Sequence, residues 1–286
     1  MMNKIPIRQI RTEKEPDLSE NFSIREVKQM LAGKDMVQEL HRHDHYFILA
    51  LKKGKGQHVV DFKEYKIIDN SVFFLRPGQV HQLLLKSGST GYLMQFNNGF
   101  YLHKEKSSTR LLRTACTKNF CQPSFAGIKR IFTILNTVYE EYTERKAGYK
   151  EIIKAELGIF FIELIRQRQS KNSSRDSSLY AQERIDELFE LLETHIAQKK
   201  QVSEYADMMK LTVYQLNSIT KASLGKTCSQ LINEHIILES KRNLLATASQ
   251  VNQVAYLLGY EDISYFIRFF KKHTGVTPKS FREKFK

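Results

Sequence analysis

Three histidines occupy alternate positions in HRHDHYF, His41, His43 and His45, and a fourth, His81, follows in LRPGQVHQL. Imidazole nitrogens are good ligands for zinc or iron. In a strand, residues two apart share a face, so the first three would point one way and His81 could join them. That geometry could hold a metal; it could equally furnish a polar pocket. No general acid, activated nucleophile or phosphate loop accompanies it. GKGQ at Gly54–Gln57 is too short for a phosphate-binding loop and reads as a hairpin turn.

A second set of chemically competent residues lies near the C-terminus, in GYEDISYFIRFFKKHTGVTPKSF from Gly259 to Phe281. A diverged copy stands 50 residues earlier: Lys221 matches Lys271, Gly225 matches Gly275, Thr227 matches Thr277 and Leu231 matches Phe281. Ala206 matches Ala255 if the second copy has one extra residue in its turn. Each copy reads as a short helix carrying an alanine, a tight connection and a second helix, which is a helix-turn-helix unit. Gly259 would end one helix in the left-handed conformation, and Asp262 would cap the next.

The 3.6-residue period assigns faces on these second helices. Ile263, Phe266, Phe269 and Phe270 are expected in the core of the second unit, and Val213, Leu216 and Ile219 in that of the first. The opposite faces carry Ser264, Arg268 and Lys271, flanked by Tyr265, Ile267 and Lys272. In the first copy they carry Tyr214, Ser218 and Lys221, with Gln215 and Asn217 alongside. Such faces fit a DNA major groove. Arg268 can bond both acceptors of guanine, Gln215 or Asn217 can pair with adenine, and Tyr214 or Ile267 can meet a thymine methyl. Lys241, Arg242, Lys271, Lys272, Lys279 and Arg282 are candidates for phosphate, which positions without specifying.

The elements that must position these groups fall into segments. Up to about residue 105, HYFILAL, HVVDFKEYKI, SVFFLRP, VHQLLLK and TGYLMQF are β-rich runs, as in a sandwich or small barrel. From about Ser124 the period changes. Ile128, Ile131, Leu135, Val138 and Tyr142 recur at helical spacing, as do Tyr149, Ile153, Leu157, Phe160 and Leu164. These two helices, within 106–169, could pack on the β-rich part, form a dimer interface, or both. The polar stretch from Gln167 to Leu179 marks a boundary, with a linker over 170–179, and 180–286 reads as helical throughout.

Composition narrows the partners. Lys plus Arg number 45 against 31 acids, a formal charge of +14, and 241–286 holds nine basic residues against three acidic. That balance favours a polyanion. No run approaches the ~18 apolar residues of a membrane span. The apolar faces near the C-terminus are claimed by helix packing rather than lipid. The basic start lacks the apolar block of a signal peptide, so a cytoplasmic location is expected. Cys116, Cys121 and Cys228 are an odd, scattered set and read as reduced thiols.

Gly259, Asp262, Ser264, Phe266, Arg268, Phe270, Lys271, Gly275, Thr277 and Pro278 together resemble the closing signature of AraC/XylS-type transcriptional regulators. The resemblance runs from about Glu183 to Phe285. It implies two helix-turn-helix units joined by a long helix, here Gln230 to Ala246, entering successive major grooves. The first unit departs from the pattern, with Ser218 where arginine is usual and Thr220 where phenylalanine is frequent. HRHDHYFILALKKGKG and LRPGQVHQL are similar to the cupin-like sensing domain often fused to such regulators, through His41, His43, Pro77, Gly78 and His81. Metal-binding cupins usually add a carboxylate shortly after the second histidine; Tyr46, Phe47 and Ile48 cannot serve. Regulators of this kind often keep the histidines without metal, so no metal, cofactor or catalysis is expected.

The expected fold is a two-domain α+β chain: a cupin-like β-barrel over 1–105 with a helical pair, then an all-α domain of two helix-turn-helix units. The expected function is a sequence-specific regulator, with family precedent for an activator. Its expected partners are double-stranded promoter DNA, a second copy of itself, RNA polymerase and a small effector. The alternative is a cupin-type metal enzyme or sugar-binding module with an accessory helical domain.

Overall fold

The computed structural model describes residues 6–8, 10, 21–101, 106–168, 175–246 and 249–284. The chain divides into two compact units, Pro6–Lys171 and Asn172–Lys286.

The first unit contains β1 (Ile7–Arg8), β2 (Phe22–Glu26), β3 (Met36–His43), β4 (Tyr46–Lys53), β5 (Gly56–Val60), β6 (Lys63–Ile67), β7 (Val72–Leu75), β8 (Val80–Leu85), β9 (Thr90–Phe96) and β10 (Phe120–Cys121). They form two five-stranded sheets, ordered β1-β3-β8-β5-β6 and β10-β7-β4-β9-β2. Five helices accompany them: α1 (Val27–Leu31), α2 (Asn98–Tyr101), α3 (Lys106–Ala115), α4 (Phe125–Glu144) and α5 (Tyr149–Arg168).

The continuous apolar run in β4 has a simple cause: both of its faces are covered. Phe47, Leu49 and Leu51 pack with Val60, Phe73, Leu83 and Leu85 between the sheets. Tyr46, Ile48 and Ala50 turn the other way, onto Ile131, Leu135, Leu157 and Phe161 of α4 and α5. Packing of the helical pair onto the sheet therefore accounts for Ile128, Ile131, Leu135, Val138, Ile153, Leu157, Phe160 and Leu164. Tyr142 and Tyr149 are partly buried at its edge. Ser124 caps α4 by accepting from Gly127 N–H.

Two expectations about the strands are corrected. Gly54–Gln57 is no hairpin turn, because β4 and β5 belong to different sheets and the segment crosses between them. The hairpin lies inside HVVDFKEYKI, which is two strands and not one run. Asp61 and Phe62 both take positive φ, 47° and 67°, as a two-residue type I′ turn requires. Also, β10 pairs with β7, so the sheet draws on chain beyond residue 105.

The second unit is all helical: α6 (Arg175–His195), α7 (Val202–Met208), α8 (Val213–Leu224), α9 (Cys228–Ala246), α10 (Val251–Leu257), α11 (Ile263–Thr274) and α12 (Pro278–Lys284). Of the expected linker, 170–174 lies outside the described residues, and α6 starts at Arg175, so the remainder is helical. Once a helix is nucleated, each added residue gains a hydrogen bond at little cost, which extends it into a polar stretch.

The repeat is realised bond by bond. Leu211 N–H donates to Ala206 O, and Tyr260 N–H donates to Ala255 O, each at 2.9 Å. Ala206 and Ala255 are buried, where small side chains let the helices of each pair approach. α8 and α11 are both 12 residues long and both end at a glycine in the left-handed region, Gly225 and Gly275. Thr227 and Thr277 then cap α9 and α12, their Oγ1 atoms accepting from Gln230 and Ser280 N–H at 3.2 Å.

Candidate nucleic-acid interface and histidine cluster

α8 and α11 start alike. Thr212 Oγ1 accepts from Gln215 N–H at 3.1 Å, and Asp262 Oδ1 accepts from Ser264 and Tyr265 N–H at 2.7 and 3.1 Å. Each helix buries two residues four apart: Leu216 and Thr220 in α8, Phe266 and Phe270 in α11. Complete burial of a phenylalanine contributes about 1.5–3 kcal/mol. Thr220 removes less apolar area and spends its hydroxyl on Asn217 O. The second unit is therefore the better packed. Tyr260 adds to it, lying within 6.0 Å of the Tyr265, Phe266 and Phe269 ring centroids.

Four expected core positions are less buried than the wheel suggests. Val213 is exposed, and Ile219, Ile263 and Phe269 are half-buried. Val213 and Ile263 are the first residues of their helices.

On the outer faces, Tyr214, Gln215, Ser218, Lys221, Ser264, Tyr265, Arg268, Lys271 and Lys272 are exposed, while Asn217 and Ile267 are half-buried. Two amides are already engaged. Asn217 Nδ2 donates to Val213 O at 3.1 Å, and its Oδ1 accepts from Cys228 N–H at 3.0 Å, tying α8 to the start of α9. Gln215 Oε1 accepts from Thr212 N–H at 2.9 Å, closing a capping box. Neither amide is free at both ends, as bidentate pairing with adenine requires. The Arg268 guanidinium lies 3.8 Å from Asp262, an exposed contact that costs little to exchange.

The cationic candidates divide in the same way. Lys271, Lys272 and Lys279 are exposed. Arg282 instead donates to Leu244 O at 2.7 Å and Ser249 O at 2.6 Å, so it closes the end of α9 rather than waiting for phosphate. Arg242 pairs with Glu239, and the Lys241 ammonium lies 5.6 Å from the Phe281 ring centroid. Helical spacing alone gave no sign of these inward uses.

In the first unit, His41, His43, His45 and His81 are all buried, and a fifth, His58, joins them. His58 was missed, although β5 alternation puts it on the same face as the buried Val60. His41 and His81 are register partners across β3 and β8. His41, His43 and His81 each offer a ligand atom, and these lie within 4.8 Å of one another. His45 stands apart from that trio: its Nδ1 meets Asp44 Oδ1 and its Nε2 meets Gln95 Nε2, both at 2.9 Å. Burial favours the neutral rings, with His41 held down to about 4 and His58 to about 3. His43, His45 and His81 are lowered for the same first reason.

Two family models match, one for each unit: an AraC-like ligand binding domain over residues 29–132 and a helix-turn-helix domain over residues 205–284. The chain is 24% identical over 245 residues to the transcriptional activator RhaS of Pectobacterium carotovorum, covering 85% of this chain and 86% of that one. It is also 24% identical over 251 residues to the activator RhaR of Mannheimia succiniciproducens, covering 86% and 87%. Among solved structures, fatty-acid-bound ToxT of Vibrio cholerae aligns over 92% of this chain and 95% of its own, at 18% identity and a TM-score of 0.43.

The matched domains and the relatives define a DNA-binding transcriptional regulator with an AraC-like ligand-binding domain, in preference to a cupin enzyme or sugar-binding module. Its two matched domains and its relatives are those of AraC-type transcriptional regulators. Among the described residues, no helix is long and apolar enough to cross a membrane.

Proposed function

We propose that α8 and α11 are the helices by which this regulator reads promoter DNA. The observation that carries the reading is the repeated outward face of two capped 12-residue helices. Arg268 reads guanine from α11; Ser264, Tyr265 and Ile267 contact neighbouring bases; Lys271, Lys272 and Lys279 hold phosphates. From α8, Tyr214, Ser218 and Lys221 make the corresponding contacts. Gln215 and Asn217 hold the helix in place. With no arginine at Ser218, the first unit contributes less sequence selectivity than the second.

In this reading 1–105 senses a small effector between the sheets, 106–169 couples that signal to dimerisation, and 180–286 binds DNA beyond the linker at 170–179. A second copy is the partner of α5, whose Ile152, Ile159 and Ile162 are all exposed at helical spacing. Activation follows the precedent of relatives named activators; contact with RNA polymerase and a cytoplasmic location belong to the same reading. The chain performs no catalysis of its own. Selecting genomic DNA fragments with the purified protein tests the reading: a shared motif spanning two groove repeats, ~34 Å apart, is expected. Retention of fragments without any common motif would refute it.

A further inference from the structure

Among the described residues, three nitrogens of the buried histidines have no hydrogen-bond partner: His43 Nδ1, His58 Nδ1 and His81 Nε2. His81 is fully buried and its Nδ1 meets His58 Nε2 at 2.9 Å. Its other nitrogen, Nε2, has no hydrogen-bond partner among the described residues. A buried, unpaired imidazole nitrogen costs free energy unless something binds it. Nearby, His41 Nδ1 donates to Glu39 O at 2.7 Å, which leaves the lone pair of the neutral ring on Nε2. That Nε2 lies 3.1 Å from His43 Nε2. Two nitrogens on one tetrahedral zinc, at ~2.0–2.1 Å from the ion, stand about 3.3 Å apart. The first pair is thus close to ligand spacing already.

We propose that His41, His43 and His81 bind one late first-row divalent cation of the zinc type through their Nε2 atoms. The surroundings suit a ligand set. Metal-bound histidines characteristically donate their other ring N–H to an outer partner, which fixes the tautomer. His41 does so to Glu39 O, and His81 can do so to His58 Nε2. Three neutral nitrogens with no carboxylate favour zinc, copper or nickel over magnesium, calcium or manganese. His45 is excluded because both its nitrogens are engaged. Three protein ligands leave a position open to an outside donor, where an oxygen-bearing effector could attach.

The site is tested on the full chain after chelator stripping, by calorimetric titration with zinc chloride and by X-ray absorption of the loaded protein. One equivalent per chain is expected, with a nitrogen shell at ~2.0–2.1 Å and imidazole scattering. His81→Gln and His41→Gln should each lose that equivalent, while His273→Gln, at an exposed histidine of the other unit, should keep it. Substoichiometric binding, a shell dominated by oxygen, or full binding by folded His81→Gln overturns the proposal. If the His81 variant does not fold, the wild-type absorption spectrum decides. None of these readouts depends on DNA binding, so the site and the regulatory reading stand or fall separately.

Discussion

The carbonyl of Ala197, just past the end of α6, is pressed against Gly259 in the turn between α10 and α11. A β-carbon on Gly259 would lie 1.7 Å from that oxygen, and its φ is already +70°. Lys200 fastens the same junction, with Nζ donating to Ala197 O at 3.1 Å and to Gly259 O at 3.2 Å. The turn of the second helix-turn-helix unit is therefore built against the chain that leads into the first.

Gly259→Ala should destabilise the helical unit by more than Gly275→Ala. Both glycines have positive φ, but a β-carbon at Gly275 would meet nothing within 4 Å. Conformational strain alone costs about 1–3 kcal/mol, and only Gly259→Ala must also displace backbone. Chemical denaturation followed by helical circular dichroism would check the order. Equal losses would show that the close approach is relaxed in solution.

Arg282→Ala should reduce stability by about 1.5–3 kcal/mol, the range for hydrogen bonds to a charged group. It should leave the salt dependence of DNA binding nearly unchanged. Lys279→Ala should do the reverse, lowering the slope of log affinity against log salt by about one while preserving stability. Titrations across a salt series separate the two.

Ile159→Asp should shift the protein toward monomer without unfolding it. Ile159 is 52% exposed on α5, so a charge there faces solvent in a single chain and apolar surface in a dimer. Sedimentation equilibrium over a concentration range reads the change. An unchanged association constant would move the dimer contact away from α5.

Acid should destabilise the metal-free β-unit. The buried histidines have lowered values in the folded chain, with desolvation the first cause. The unfolded chain therefore binds more protons below the ordinary histidine value. This contribution is fully present above about pH 6.5. It is lost progressively as pH falls toward the folded values of about 4 for His41 and about 3 for His58. Thermal melts from pH 8 to pH 5 with chelator present should show the decline, and His58→Gln should make it shallower.

The repeat, the caps and the fused β-domain were legible because each leaves a local mark: Gly-x-Thr at fixed spacing, Asp262 before an apolar helix, alternating strands. What was not legible depends on contacts distant in sequence. Asn217 looks like a base-reading amide until Cys228, 11 residues on, takes its oxygen. Arg282 looks like a phosphate contact until the end of α9 takes its guanidinium. The hairpin was misplaced because GKGQ and Asp61-Phe62 differ in which sheets they join, which no local pattern records.

In the proposed function α11 reads sequence through Arg268 while its neighbouring lysines hold the DNA backbone. The most direct test measures binding of wild type, Arg268→Ala and Lys272→Ala to a selected promoter site and to its single-base variants. Arg268→Ala should lose about 1–3 kcal/mol of discrimination at one or two base pairs. Lys272→Ala should weaken binding to every sequence about equally and lower the salt slope by about one. If neither substitution changes binding to the promoter site, this face of α11 does not contact DNA.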